Sequence, residues 1–302
     1  MHTTIRVGER LLELRKLDLV PGALRPVLRD AAKEVFTHSR LALVHAHVII
    51  EIRDDIPNPR VEERSLKKHR AHILLPSSLF AADEQHLSQQ LRNSLNHEFA
   101  HLWHNDISPS LKRALESARR LKKGLEKEKL RFLQAYRQST MSPERAMHLL
   151  DKRSIRSLLH RFFIECHIEG IAEYCENTLR GLDLFKSDVH AVLRAEARET
   201  AMTANLALAN AITFGEIDVR VFKRVYDKAP YVIGHHMVFT LLLKEYTLEE
   251  VVKMNYHEFV KAYERVCKHI GERPLVSLTS GKGILDYKEM LKRWRSAFSQ
   301  KS

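Results

Sequence analysis

The sequence predicts a predominantly helical α+β protein, in which a small N-terminal sheet packs on a long helix and a helical C-terminal part follows. Helix-favouring residues, chiefly Ala, Leu, Glu, Lys and Arg, dominate the 302-residue chain. Leu43–Arg53 and His69–Pro76 are rich in apolar residues and end at loop-forming residues, which predicts two strands. From Asp83 to His104 apolar residues recur at helical spacing, which predicts the long helix.

The remaining elements are predicted in order along the chain. One or two opening helices are expected, around Gly8–Lys16 and Leu24–Thr37. With the strands and the long helix they form a first subdomain, residues 1–106. Residues 107–210 are expected to be helical and to begin with a strongly charged arm, residues 111–137. Residues 211–302 are also expected to be helical, with a loop at Gly271–Gly283 and a basic helix at the end.

The long helix carries the pattern His-Glu-x-x-His at His97, Glu98 and His101. Residues four apart share a helical face and lie about 6 Å apart, so two imidazoles can bind one metal ion. The histidines face away from the apolar stripe, because His97 is about 200° from Leu95 around the helix. The stripe consists of Leu87, Leu91, Leu95, Phe99 and Leu102 or Trp103. A carboxylate beside a metal-bound water is what metal-assisted hydrolysis needs, so the pattern predicts that chemistry.

A downstream helix supplies candidates for a third metal ligand. Catalytic zinc usually takes three protein ligands. Glu165, Glu169 and Glu173 are spaced four apart, so their carboxylates share one face of a helix that is otherwise strongly apolar. Like charges at this spacing repel, and a buried helix is an unusual place for unpaired carboxylates. A bound cation would relieve both costs.

Together, His97-Glu98-x-x-His101 and the later Glu169-Gly170-Ile171-Ala172-Glu173-Tyr174 resemble the gluzincin zinc metallopeptidases, whose fold is zincin-like. The resemblance implies that His97, His101 and Glu169 hold one Zn²⁺ and that Glu98 is the general base. It also implies that Glu173 orients a ligand histidine.

Three further expectations accompany the resemblance. A shift of one helical turn would make Glu165 the ligand and Glu169 its supporting carboxylate. The strand near His72–Leu75 would form the edge of the cleft, where an extended peptide adds as a strand. Ala229–Phe239 is similar to the Tyr-x-x-Gly helix start of several gluzincins. That likeness implies that Tyr231, or else His235 or His236, donates a hydrogen bond to the oxyanion.

The chain as a whole sets the context. Its net charge of +12 and pI near 9.6 are compatible with an acidic or nucleic-acid partner bound through basic helices. There is no apolar N-terminal signal and no uninterrupted apolar run of about 18 residues, so a cytoplasmic protein without a membrane span is expected. Cys166, Cys175 and Cys267 are expected to be small core residues rather than metal ligands.

The leading interpretation is a zinc-dependent metallopeptidase acting on a peptide or protein. A di-iron or di-manganese carboxylate protein is an alternative, because Glu98-x-x-His101 is also half of that signature, although the chain lacks the second half. A further alternative is a non-catalytic basic scaffold with a structural metal, or an autoinhibited enzyme in which Leu275–Tyr287 occupies the cleft.

Overall fold

The structure is a computed structural model that describes residues 1–8, 10–38, 47–62, 70–81, 84–137, 160–177, 187–214, 219–243, 246–278, 283 and 285–286. It is an α+β protein, mostly helical, with a small mixed sheet near the N-terminus. The chain forms two compact units: Met1–Ile107 with Ile171–Asp183, and Ser108–Gly170 with Leu184–Ser302. A helix over residues 160–177 runs without a break through the division.

The first unit contains a five-stranded sheet. Its strands are β1 (His2–Val7), β2 (Arg10–Arg15), β3 (His47–Arg53), β4 (Arg60–Val61) and β5 (Arg70–Pro76). In space they run β1-β2-β3-β5-β4; β2, β3 and β5 are parallel, and β1 and β4 pair antiparallel to their neighbours. Both predicted strands are therefore present, but β5 lies inside the sheet because the short β4 pairs with its Ile73 and Leu74. The expectation of an edge strand at His72–Leu75 is wrong for that reason.

The predicted opening helix at Gly8–Lys16 is wrong, because Arg10–Arg15 form β2, which pairs with β1 in a β-hairpin. Gly8 has a φ of 61°, a left-handed conformation that suits the turn between β1 and β2. Leu12 and Leu14 are buried on one face of β2, whereas Glu13 lies on the other. Pairing with β1 and β3 thus outweighs the helix propensity of Leu, Glu and Arg.

The described part of the first unit also contains two α-helices, residues 171–177 of a third, and three short 3-10 helices: Leu17–Leu19, Gly22–Leu24 and Ser77–Ala81. Helix α1 (Arg25–His38) matches the second predicted opening helix, and it contacts both the hairpin and helix α2 (Glu84–Ile107). Phe36 and Phe99 join α1 to α2, with ring centroids 6.0 Å apart. Asp83, where the predicted long helix begins, lies outside the described residues.

The described residues of the second unit form helices and one pair of short strands. We label the helix over residues 160–177 α4; its residues 160–170 belong to this unit. The other elements are α3 (Pro109–Arg137), α5 (Ser187–Phe214), α6 (Val219–Leu242), α7 (Leu248–Lys253), α8 (Tyr256–His269), β6 (Val276–Ser277) and β7 (Leu285–Asp286). The charged segment 111–137 is helical, as predicted. The expected loop at Gly271–Gly283 contains β6, which pairs with β7, and the predicted basic helix at the end lies outside the described residues.

Helix α4 is fixed within the second unit by two close contacts. His167 is buried, its Nε2 lies 2.9 Å from the carbonyl oxygen of Val251, and its ring stacks on Phe259 at 4.5 Å. Gly170 meets Gly234 of α6 backbone to backbone, so a Cβ on Gly170 would lie 2.3 Å from the carbonyl carbon of Gly234. This close contact fixes the position of α4 against α6 at Gly170, the residue after Glu169.

None of the helices in the described ranges combines the length and the apolar character needed to cross a membrane.

Candidate metal centre

Helix α2 carries His97 and His101 side by side. The predicted apolar stripe is confirmed: Leu87, Leu91, Leu95, Phe99 and Leu102 are fully buried, and Trp103 is nearly so. The two histidines are half-buried, and their ring centroids are 4.7 Å apart at an interplanar angle of 84°. This is the arrangement that a four-residue spacing on one helix produces. His104, three residues after His101, is completely buried.

His97 faces two carboxylates of α4. Its Nδ1 lies 3.2 Å from a carboxylate oxygen of Glu176 and 3.9 Å from one of Glu173. Only the Glu176 distance is that of a hydrogen bond in which Nδ1–H donates. Such a bond fixes the tautomer and leaves Nε2 as the metal-binding nitrogen. The structure therefore gives Glu176 the closer contact to His97, whereas the sequence interpretation assigned the orienting role to Glu173.

Two groups of side chains bring ligand atoms together. In one, His97, His101 and Glu169 each offer an atom within 4.8 Å of the others; in the other, His97, Glu173 and Glu176 do the same. Ligand atoms around a tetrahedral zinc are about 3.4 Å apart, given bonds of about 2.1 Å. Side-chain rotations that bring the atoms closer by up to about 1.4 Å would fit the first group to an ion. Two imidazoles and one carboxylate are a donor set that zinc accepts.

Glu98 lies beside the histidines but in neither group. Its side chain is buried, with 4% of its surface exposed. The role of Glu98 as the general base stays a prediction.

Glu165, the alternative ligand, is placed differently. It forms an ion pair with Arg161, and it belongs to neither ligand group among the described residues. Burial raises the pKa of the Glu165 carboxyl, Arg161 opposes this, and the negative charges of Glu169 and Asp227 add to the rise. The pairing with Arg161 gives Glu165 a partner of its own, so the geometry favours Glu169 in the ligand role.

Tyr231 and His235 lie on α6, but not at a helix start. The helix begins at Val219 and contains Pro230, so the predicted start at Tyr231 is wrong. Tyr231 is 36% exposed, whereas His235 and His236 are buried. The Nε2 of His236 is 3.4 Å from the hydroxyl of Thr240. The roles of Tyr231 and His235 as oxyanion donors stay predictions.

The three cysteines are buried free thiols, as expected. Burial raises the pKa of Cys175 to about 12 and that of Cys267 to about 11, and it also raises the pKa of Cys166. Thiols that stay protonated are poor metal ligands. None of them joins a ligand group in the part of the chain that the structure describes.

Glu176 is the site residue that sequence reasoning missed. It follows Glu169 by seven residues, which is about two helical turns, so it lies only about 20° from Glu169 around the helix axis. Glu173 lies about 40° away on the other side. The seven-residue spacing was the available signal.

Comparisons with protein-family models, with curated protein sequences and with solved structures found no match to this chain.

Proposed function

We propose that the chain is a zinc-dependent metallopeptidase of gluzincin type, with a zincin-like arrangement of the sheet and α2 in its first unit. The observation that carries the proposal is the ligand group of His97, His101 and Glu169, whose donor atoms lie within 4.8 Å of one another. Two features support it: the contact of His97 Nδ1 with Glu176 at 3.2 Å, and the buried carboxylate of Glu98.

The chain's own residues supply the proton transfers. A zinc ion in this site would provide a Lewis acid that activates water and polarises the scissile carbonyl. Glu98 accepts a proton from the attacking water as the new C–O bond forms. Glu98 then delivers that proton to the amine nitrogen as the C–N bond breaks. Glu176 holds His97 in the tautomer that can bind the metal, and Tyr231 or His235 is proposed to donate to the oxyanion.

The test separates metal binding from hydrolysis. Glu98→Gln keeps the size of the side chain but cannot take up the proton. We expect wild-type zinc content and a loss of peptide cleavage of about 10²–10⁴-fold, measured with a library of internally quenched peptides. Glu116→Gln, a change to an exposed carboxylate on α3, is the matched control and is expected to be fully active. Wild-type cleavage by the Glu98→Gln protein would contradict the proposed mechanism.

The second ligand group supports a different candidate function. Glu173 and Glu176 add two carboxylates around His97, and carboxylate-rich donor sets suit iron and manganese. A di-iron or di-manganese carboxylate protein would use this richer set. About two iron or manganese ions per chain, instead of one zinc, would favour it over the peptidase.

A further inference from the structure

Helix α3 carries basic residues along one side. At about 100° per residue, seven Lys and Arg side chains fall within an arc of about 120°, and Glu116 is the one acidic residue on that arc. We call this arc the basic face. All seven side chains are exposed: Lys112, Arg113, Arg119, Arg120, Lys123, Lys127 and Arg131. The face extends over 20 residues, from Lys112 to Arg131, or about 28 Å.

The spacing within the basic face disfavours a purely solvated surface. Arg119, Lys123, Lys127 and Arg131 follow one another at four-residue intervals, so each repels the next. A solvated face that stabilised the helix would alternate the signs of its charges at this spacing. A row of like charges reduces the stability of the free helix, and a negatively charged partner removes that cost.

The other side of α3 shows that the helix is held by the protein. Leu111 is buried, with 4% of its surface exposed, and Ala114, Leu115 and Ala118 are half-buried. Ser110 adds a contact to the carbonyl oxygen of Met254 at 3.4 Å. A helix that lies on a membrane inserts its apolar side into the lipid. The start of this side, from Leu111 to Ala118, is buried or half-buried and so is less available for insertion, although Leu121 further along is 41% exposed. The basic face, in contrast, is exposed from Lys112 to Arg131.

The chemistry of the basic face points to phosphates. It has no aromatic side chain, so it offers no stacking platform of the kind that binds single-stranded nucleic acid. A duplex presents one negative charge per about 1.7 Å of its axis, which gives about 16 charges over the length of the face. We propose that the basic face of α3 binds the phosphate backbone of duplex nucleic acid, independently of base sequence.

The test is the salt dependence of binding to a fluorescein-labelled 24-base-pair duplex, measured by anisotropy with the full chain. DNA and RNA duplexes are compared, because both present the same phosphates. The variant carries Lys123→Gln, Lys127→Gln and Arg131→Gln, since Gln favours helix and removes only charge. The matched control carries Lys228→Gln, Lys261→Gln and Lys268→Gln, which remove the same charge from exposed positions on α6 and α8.

Each phosphate contact contributes about 0.9 to the slope of log affinity against log salt. We therefore expect the α3 variant to lose about 2.7 units of slope and, relative to 1 M salt, about 500-fold in affinity at 0.1 M salt. The control is expected to keep nearly the wild-type slope, and circular dichroism checks that all three proteins are folded. An equal loss in both variants would refute the proposal, because binding would then follow net charge alone. Failure of the wild type to bind either duplex would also refute it, as would binding only to vesicles containing phosphatidylserine.

Discussion

The crossing of α4 and α6 at Gly170 and Gly234 leaves no room for a methyl group. In Gly170→Ala the new Cβ would lie 2.3 Å from the carbonyl carbon and 2.4 Å from the carbonyl oxygen of Gly234. Ordinary contacts to a Cβ are 3.4–4 Å. The helices must therefore separate by more than about 1 Å, because backbone atoms cannot rotate away as a flexible side chain can.

The expected loss of stability follows from two opposing effects. Overpacking a well-packed contact costs about 1–3 kcal/mol, and a backbone obstacle favours the upper end. Replacing Gly by Ala inside a helix returns about 1 kcal/mol. The net free energy of unfolding should fall by about 2 kcal/mol, which corresponds to a decrease of about 4–8 °C in Tm. Glu169 precedes Gly170, so the same substitution should also weaken zinc binding.

The control is the same substitution where space is open. Gly124 lies inside α3, and a Cβ there would meet nothing within 4 Å. Gly124→Ala should raise the free energy of unfolding by about 0.5–1 kcal/mol, because only the helix propensity changes. Differential scanning fluorimetry and urea unfolding measure both variants. A Gly170→Ala protein as stable as the wild type, or stabilised like Gly124→Ala, would refute the close crossing.

Three further predictions concern the site and the core. Glu176→Gln should weaken zinc binding by about 10-fold or more, and by more than Glu173→Gln does. Competition with a chromogenic chelator measures both affinities. A larger loss in Glu173→Gln than in Glu176→Gln would return the orienting role to Glu173. If Tyr231 donates a hydrogen bond to the oxyanion, Tyr231→Phe should lower kcat by about 10²-fold and leave the zinc content and Tm unchanged. An unchanged kcat would show that Tyr231 does not have this role. Burial lowers the pKa of His167 from 6.5 to about 4, so the unfolded chain binds more protons in this interval and stability is lost as pH falls from about 6.5 towards 4. The free energy of unfolding lost through this one group is up to about 3 kcal/mol. His167→Gln can still donate a hydrogen bond to Val251 but does not titrate, so its Tm should decline less steeply over that pH range. Parallel plots of Tm against pH for the variant and the wild type would show that His167 is not the cause of the pH dependence.

How far the sequence predicts this structure depends on whether the signal is local. Helix α2 could be predicted because its apolar residues repeat every three or four positions, and each of them is buried as expected. Strand β2 could not, because Leu11 to Arg15 are good helix formers and only pairing with β1 and β3 makes them a strand. Helix α6 was mispredicted in its start, because Pro230 usually marks a helix beginning but here lies within the helix.

The same distinction applies to the candidate site. The facing of His97 and His101 follows from spacing on one helix, so the sequence was sufficient for it. The choice among the carboxylates of α4 was not local, because Glu165, Glu169, Glu173 and Glu176 all recur at helical spacing. The pairing of Glu165 with Arg161 is an i,i+4 contact on one helix, so the sequence spacing already indicated it. Only the fold shows that Glu176 is nearer to His97 than Glu173 is.

Elemental analysis of the purified protein by inductively coupled plasma mass spectrometry tests the central claim most directly. The account predicts about one zinc per chain in the wild type, and little zinc in His101→Gln although that variant stays folded. Absence of metal from the wild type, even after dialysis against zinc, would contradict the account and leave the histidine pair without a metal-binding role.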